Sequence, residues 1–192
     1  MRKIGLTNIG IAALMALALE GCVSAPPMDY AAMPREHGRS NLIDQGDGTR
    51  IQCVPFARDE SGILIYGDAV TWWDQASGRY ARDTTPSLGS VMVLHNYAGA
   101  GHGHLAVVRN VVNSREIRVD HANWLNDGSV FLNDPVVDVS ADNDWSAVRV
   151  WNIPNNAWGG RVYPVQGFIA QSGNAPSKAR GGGMGPVAFA GK

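Results

Sequence analysis

The sequence predicts an α+β domain in which short helices come first and an antiparallel sheet of about five to six strands follows. Three observations carry that expectation. Two short segments near residues 53 and 69 have helix start and stop signals, and strand-like runs begin only after Pro86. Those runs are separated by short turn-like stretches, which favours hairpins over βαβ crossovers. Hydrophobic residues make up 45% of the 192 residues and charged ones 17%, enough apolar material for one core.

The first helix is expected to begin at Ile51-Gln52-Cys53-Val54-Pro55, because Pro55 suits a first turn where its missing N–H is no loss. Gly62 supplies the stop. A second short helix is expected over 69–76, with Asp68 as N-cap and Gly78 as stop. Residues 90–94 form a β-branched run entered through Leu88-Gly89. A Gly- and His-bearing loop over 96–103 follows, then a strand from His104 to about Val112. Asn113-Ser114-Arg115 reads as a turn and 116–123 as a third strand. Residues 148–153 and 161–169 supply the later strands.

The N-terminus has the order of an export signal: a basic Met1-Arg2-Lys3, an apolar run over 9–19, then Leu19-Glu20-Gly21-Cys22. The run is shorter than the roughly 20 apolar residues a membrane span requires. The Leu-x-Gly-Cys ending resembles the bacterial lipobox, which implies lipidation at Cys22 and anchoring to a membrane facing the periplasm or cell envelope. The expected division is a signal segment over 1–21, a tether over 22–39, the domain over 40–170 and a disordered Gly-rich tail over 171–192. A net charge of −1 argues against a general nucleic-acid binder. The chain has only two cysteines, and lipid on Cys22 leaves Cys53 as the single thiol.

A thiol at a helix N-terminus meets the positive end of the dipole and free backbone N–H groups, both of which favour the thiolate. A cysteine nucleophile also needs a base within hydrogen-bond reach and an orienting group for that base. On the third strand, Ile117, Val119, His121 and Asn123 share one face, while Arg118 and Asp120 share the other. The apolar pair marks the first face as core-directed, so His121 and Asn123 are expected to point inward. A hairpin brings His104, at the start of the preceding strand, beside them. Cys53, His104, His121 and Asn123 are thus the candidate nucleophile, base and orienting groups. Taken singly, each histidine reads equally well as a satisfied core residue.

These pieces in this order resemble the CHAP family of cysteine amidases and peptidases, within the wider papain-like, NlpC-type group. The carrying residues are Gln52-Cys53, Gly89 to Val93, Gly103 to Val108, Val119 to Trp124, and the closing stretches 145–152 and 163–169. The resemblance implies a papain-like fold, Cys53 as nucleophile, His104 as general base and no cofactor. It also implies an oxyanion contact from the Gln52 side chain beside the Cys53 N–H. Many relatives place Glu where His121 stands, so either His121 or Asn123, or both, orients His104. An imidazole stabilises a charged His104 less than a carboxylate does. Trp72, Trp73 and Trp124 are candidates for a substrate groove or for the core. The implied substrate is peptidoglycan, cut at a peptide cross-bridge or at the muramoyl–alanine amide, by a chain expected to be monomeric. Two other readings stand beside it: a zinc hydrolase using His102 and His104, and a catalytically weak CHAP scaffold that binds cell-wall material.

Overall fold

The computed structural model describes residues 41–43 and 50–172. The expected signal segment, the lipidation at Cys22, the tether and residues 173–192 of the expected tail lie outside the described residues. The elements run β1 (Asn41–Ile43), α1 (Cys53–Ser61), a 3-10 turn (Ala69–Thr71), α2 (Trp72–Gln75) and β2 (Ala81–Asp83). They continue with β3 (Val91–Leu94), β4 (His104–Asn113), β5 (Glu116–Ala122) and β6 (Val130–Asp138). The last are β7 (Ala147–Asn152), β8 (Ala157–Trp158) and β9 (Tyr163–Ala170). Apart from β1, the strands follow the short helices, so the domain is broadly α+β, with more of its residues in strands than in helices.

The sheet differs from expectation in form. Its order is β6-β5-β4-β3-β9-β7, and β7 pairs back to β6, so six antiparallel strands close into a barrel. β1 lies against β6, β2 against β9 and β8 against β7. Closure depends on β6, a strand the sequence pattern does not announce. Asn133-Asp134-Pro135 sits in its middle and reads as a chain breaker.

Alternation along the strands divides the apolar residues between the two faces of the barrel wall. Met92, Leu94, Ala106, Val108, Ile117, Val119, Phe131, Val136 and Phe168 fill the interior. Val91, Val93, Leu105, Val107 and Ile169 face outward, where Ala57 of α1, Ile63, Ile65 and Trp72 of α2 cover them. Trp72 is fully buried in this outer layer.

One irregularity in the wall matters for the site. Val119 of β5 faces Asp134 of β6, but His121 faces Phe131, so β6 carries one extra residue between them. Asn133 takes a left-handed φ of 57° there, and its N–H donates to Asp120 Oδ1 at 2.7 Å. Without the bulge, Phe131 and Asp134 would point to opposite faces. With it, both point into the barrel, beside His121. Asp120 lies on the outer face, as the alternation predicts. Its Oδ2 accepts from Arg109 Nε at 2.6 Å, and Arg109 also donates to Glu60 of α1, tying that helix to the wall.

Candidate active site

The helix that carries Cys53 starts and stops as its local sequence dictates. Gln52 is the N-cap in extended conformation (φ −92°, ψ 155°), and Cys53 is the first helical residue. Pro55 occupies the first turn, and Gly62, left-handed at φ 70°, closes the helix with its N–H on Arg58 O at 2.9 Å. Cys53 is half-buried, and burial pushes its thiol up. The backbone N–H groups of Leu105, Cys53 and Val54 pull the other way. The contact with Leu105 sets the sulfur against the start of β4, one residue along the chain from His104.

His104 opens β4 and is buried, at 2% exposure. Gly103, just before it, is required by close approach: a Cβ there would stand 2.5 Å from the backbone nitrogen of Val70. The His104 Nε2 lies 3.0 Å from Nδ1 of His121, which is equally buried in β5. His121 Nε2 in turn lies 3.2 Å from Oδ2 of Asp134, fully buried in β6. Aromatic rings enclose the pair of imidazoles. Trp124 stands edge-on to His104 at 4.9 Å between centroids, Tyr97 lies at 4.9 Å from it, and Phe131 at 5.4 Å from His121. Tyr97 donates its hydroxyl to Trp124 O, and burial pushes that phenol up to about 12.

This enclosure sets the electrostatics. Burial, and then the neighbouring His121, holds the His104 imidazole well below its ordinary range. Burial raises the Asp134 carboxyl, while the bond to His121 and the charge of Arg118 act against that rise. Both shifts favour the uncharged forms, thiol and neutral imidazole.

Several expected site residues stand elsewhere. β5 ends at Ala122, and Asn123 turns out of the strand at a left-handed φ of 60°. Its Nδ2 donates to Gln52 Oε1 at 2.8 Å and its Oδ1 accepts from Gly128 N at 2.9 Å. Asn123 therefore does not share the inward face with His121, and of the two only His121 touches His104. Trp72 is not a groove residue, because it is fully buried under the outer layer. Trp124, 7% exposed, belongs to the aromatic enclosure of the histidines instead. His102 is exposed with its Nδ1 3.2 Å from Ala100 O, while His104 faces inward, so the two do not converge as zinc ligands. Among the described residues no group of three His, Cys, Asp or Glu side chains has metal-binding proximity.

Asp134 and Tyr97 were not singled out by the sequence. Tyr97 sits in a loop without periodicity. Asp134 lies within a break in alternation, and the only signal for it was an Asn-Asp-Pro triplet inside the otherwise apolar stretch 130–137. Compared with known proteins, residues 44–123 match the CHAP domain. Asp134 lies beyond the matched span. No curated protein matches the chain.

Proposed function

The chain belongs to the CHAP family, whose domains are typically hydrolases of peptide or amide bonds, and from that premise we propose an exported peptidoglycan hydrolase with Cys53 as nucleophile. The observation that carries the thiol reading is the position of Cys53. It is the first residue of α1, with its sulfur against the backbone N–H of Leu105, the residue that follows His104 in β4. The succession of short helices and an antiparallel barrel supports a papain-like account of the domain.

The reaction starts from the uncharged thiol and imidazole that both shifts favour. His104 Nε2 is committed to His121, which leaves Nδ1 to take the thiol proton. As the sulfur attacks the amide carbonyl, the S–H proton passes to His104, and the carbonyl oxygen becomes an oxyanion met by the Cys53 N–H and by Gln52. Collapse breaks the C–N bond, and the imidazolium returns its proton to the departing amine. Water then attacks the thioester with His104 as base, releasing the carboxylate product and restoring the thiol. Export and attachment through lipid on Cys22 are part of the proposal and rest on the N-terminal segment. The substrate bond is the peptide cross-bridge or the muramoyl–alanine amide of the wall.

Purified protein is expected to release new amino termini from peptidoglycan, and Cys53→Ala to lose at least about 10³-fold of that activity. Equal activity in the two proteins would sink the thiol mechanism. Absence of activity in both would favour a scaffold that binds cell-wall material.

A further inference from the structure

We propose that Asp134 is a positioning residue that fixes the tautomers of both buried histidines, so that His104 presents an unprotonated Nδ1 to Cys53. The inference rests on the reading of Cys53 and His104 as nucleophile and base.

Donors and acceptors alternate along one line of three side chains. An ionised carboxylate can only accept. Asp134 Oδ2 is 3.2 Å from His121 Nε2, so that nitrogen carries the proton. A neutral His121 with its proton on Nε2 has an acceptor at Nδ1. That acceptor faces His104 Nε2 at 3.0 Å, which must then be the donor. A neutral His104 with its proton on Nε2 is an acceptor at Nδ1, the state a general base requires. Reversing the first link reverses all three. Were Asp134 protonated and donating, His121 would carry hydrogen on Nδ1, His104 would be forced to accept at Nε2, and its own proton would sit on Nδ1. His104 could not then take a proton from the thiol.

Three features of the wall are arranged around this carboxylate. The β6 bulge turns it inward, and Asp120 holds the bulge by accepting the Asn133 N–H. Burial raises this carboxyl, and the bond to His121 and then the charge of Arg118 act against that rise in favour of the ionised form. Its second oxygen, Oδ1, is buried with no hydrogen-bond partner among the described residues, so its one bond is spent on His121. As His104 takes up the thiol proton, its Nε2–H already points down the line toward the carboxylate. Asp134 thus supplies, one ring further out, the negative charge that many relatives place directly beside the base.

The test uses spectra as well as turnover. In 15N-labelled Cys53→Ala protein at neutral pH, two-bond 1H–15N correlations are expected to show both rings protonated on Nε2 and unprotonated on Nδ1. Asp134→Asn, close in shape to the carboxylate, is expected to populate the Nδ1–H form of His121 and to lower kcat about 10²-fold in the active background, with KM little changed. Asp134→Ala should shift the tautomers further. A parent spectrum with hydrogen on His104 Nδ1 overturns the proposal without any variant, as does an unshifted tautomer pattern in folded Asp134→Asn. Failure of the unaltered protein to cleave peptidoglycan would count against the hydrolase reading alone, because the tautomer pattern is read without substrate.

Discussion

Two hydrogen-bonded chains leave the neighbourhood of Cys53, and they are built from similar polar groups in opposite surroundings. One runs from His104 through His121 to Asp134, all three at 2% exposure or less, inside the barrel and among aromatic rings. The other runs along the rim from Gln52 through Asn123 to the Gly128 N–H, exposed at its Gln52 end and part-buried at its Gly128 end. In the interior, a polar group that loses its partner cannot turn to water, so each link constrains the next. On the rim, water replaces a lost partner at small cost. The first chain can therefore hold a proton at a defined atom, whereas the second can only bias where an amide points.

The strongest way to break the contrast is to remove the middle of the buried chain. His121→Ala leaves the Asp134 carboxylate and His104 Nε2 without their bonds and opens space between Trp124 and Phe131. It is expected to cost about 3 kcal/mol or more of stability, read as a lower midpoint in urea unfolding, together with loss of activity. A change below 1 kcal/mol would mean that the buried links do not constrain one another.

Acid and base should also distinguish the interior. The folded His104 imidazole lies well below its ordinary value, so the unfolded chain binds that proton first. The stabilisation this histidine contributes is present above the ordinary histidine range and is lost as pH falls through it toward the depressed folded value. Cys53 has the opposite sign: its thiol is raised on folding, so its contribution is present below the ordinary thiol value and lost as pH rises past it. The thermal midpoint is therefore expected to be highest between those two ranges. Cys53→Ala should flatten the alkaline fall and leave the acid fall in place. An unchanged alkaline limb in that variant would show that burial of the thiol is not what shifts it.

The same contrast separates what the sequence made legible from what it did not. The start of α1 at Cys53, its end at Gly62 and the inward direction of His121 follow from local rules: a proline in a first turn, a left-handed glycine, a two-residue alternation. Those rules hold where the backbone is regular. Asp134 was illegible because its orientation depends on one extra residue in β6, a property of pairing between strands and not of either strand alone. Asn123 was misread for the related reason that the alternation was carried one residue past the end of β5. Trp72 was a groove candidate because a tryptophan on a short helix looks the same in sequence whether the helix faces solvent or a barrel wall. The closure of that wall depended on β6–β7 pairing, which the breaker-like Asn133-Asp134-Pro135 concealed.

The smallest expected effect lies on the rim and asks whether Asn123 aims Gln52. Asn123 sits at φ 60°, where glycine is at ease and alanine is strained, so Asn123→Gly removes the side-chain bonds without adding backbone strain. Its exposed bond to Gln52 and part-buried bond to the Gly128 N–H predict a stability loss of about 1 kcal/mol. If Asn123 holds the Gln52 oxygen so that the amide nitrogen is left for the oxyanion, kcat should fall roughly 10-fold, equivalent to about 1.4 kcal/mol of barrier. The tautomers of His104 and His121 should stay as they are, because among the described residues no hydrogen bond joins the two chains. A shift in the histidine spectra of Asn123→Gly would show instead that the rim and the interior act as one network, and the division between them would fail.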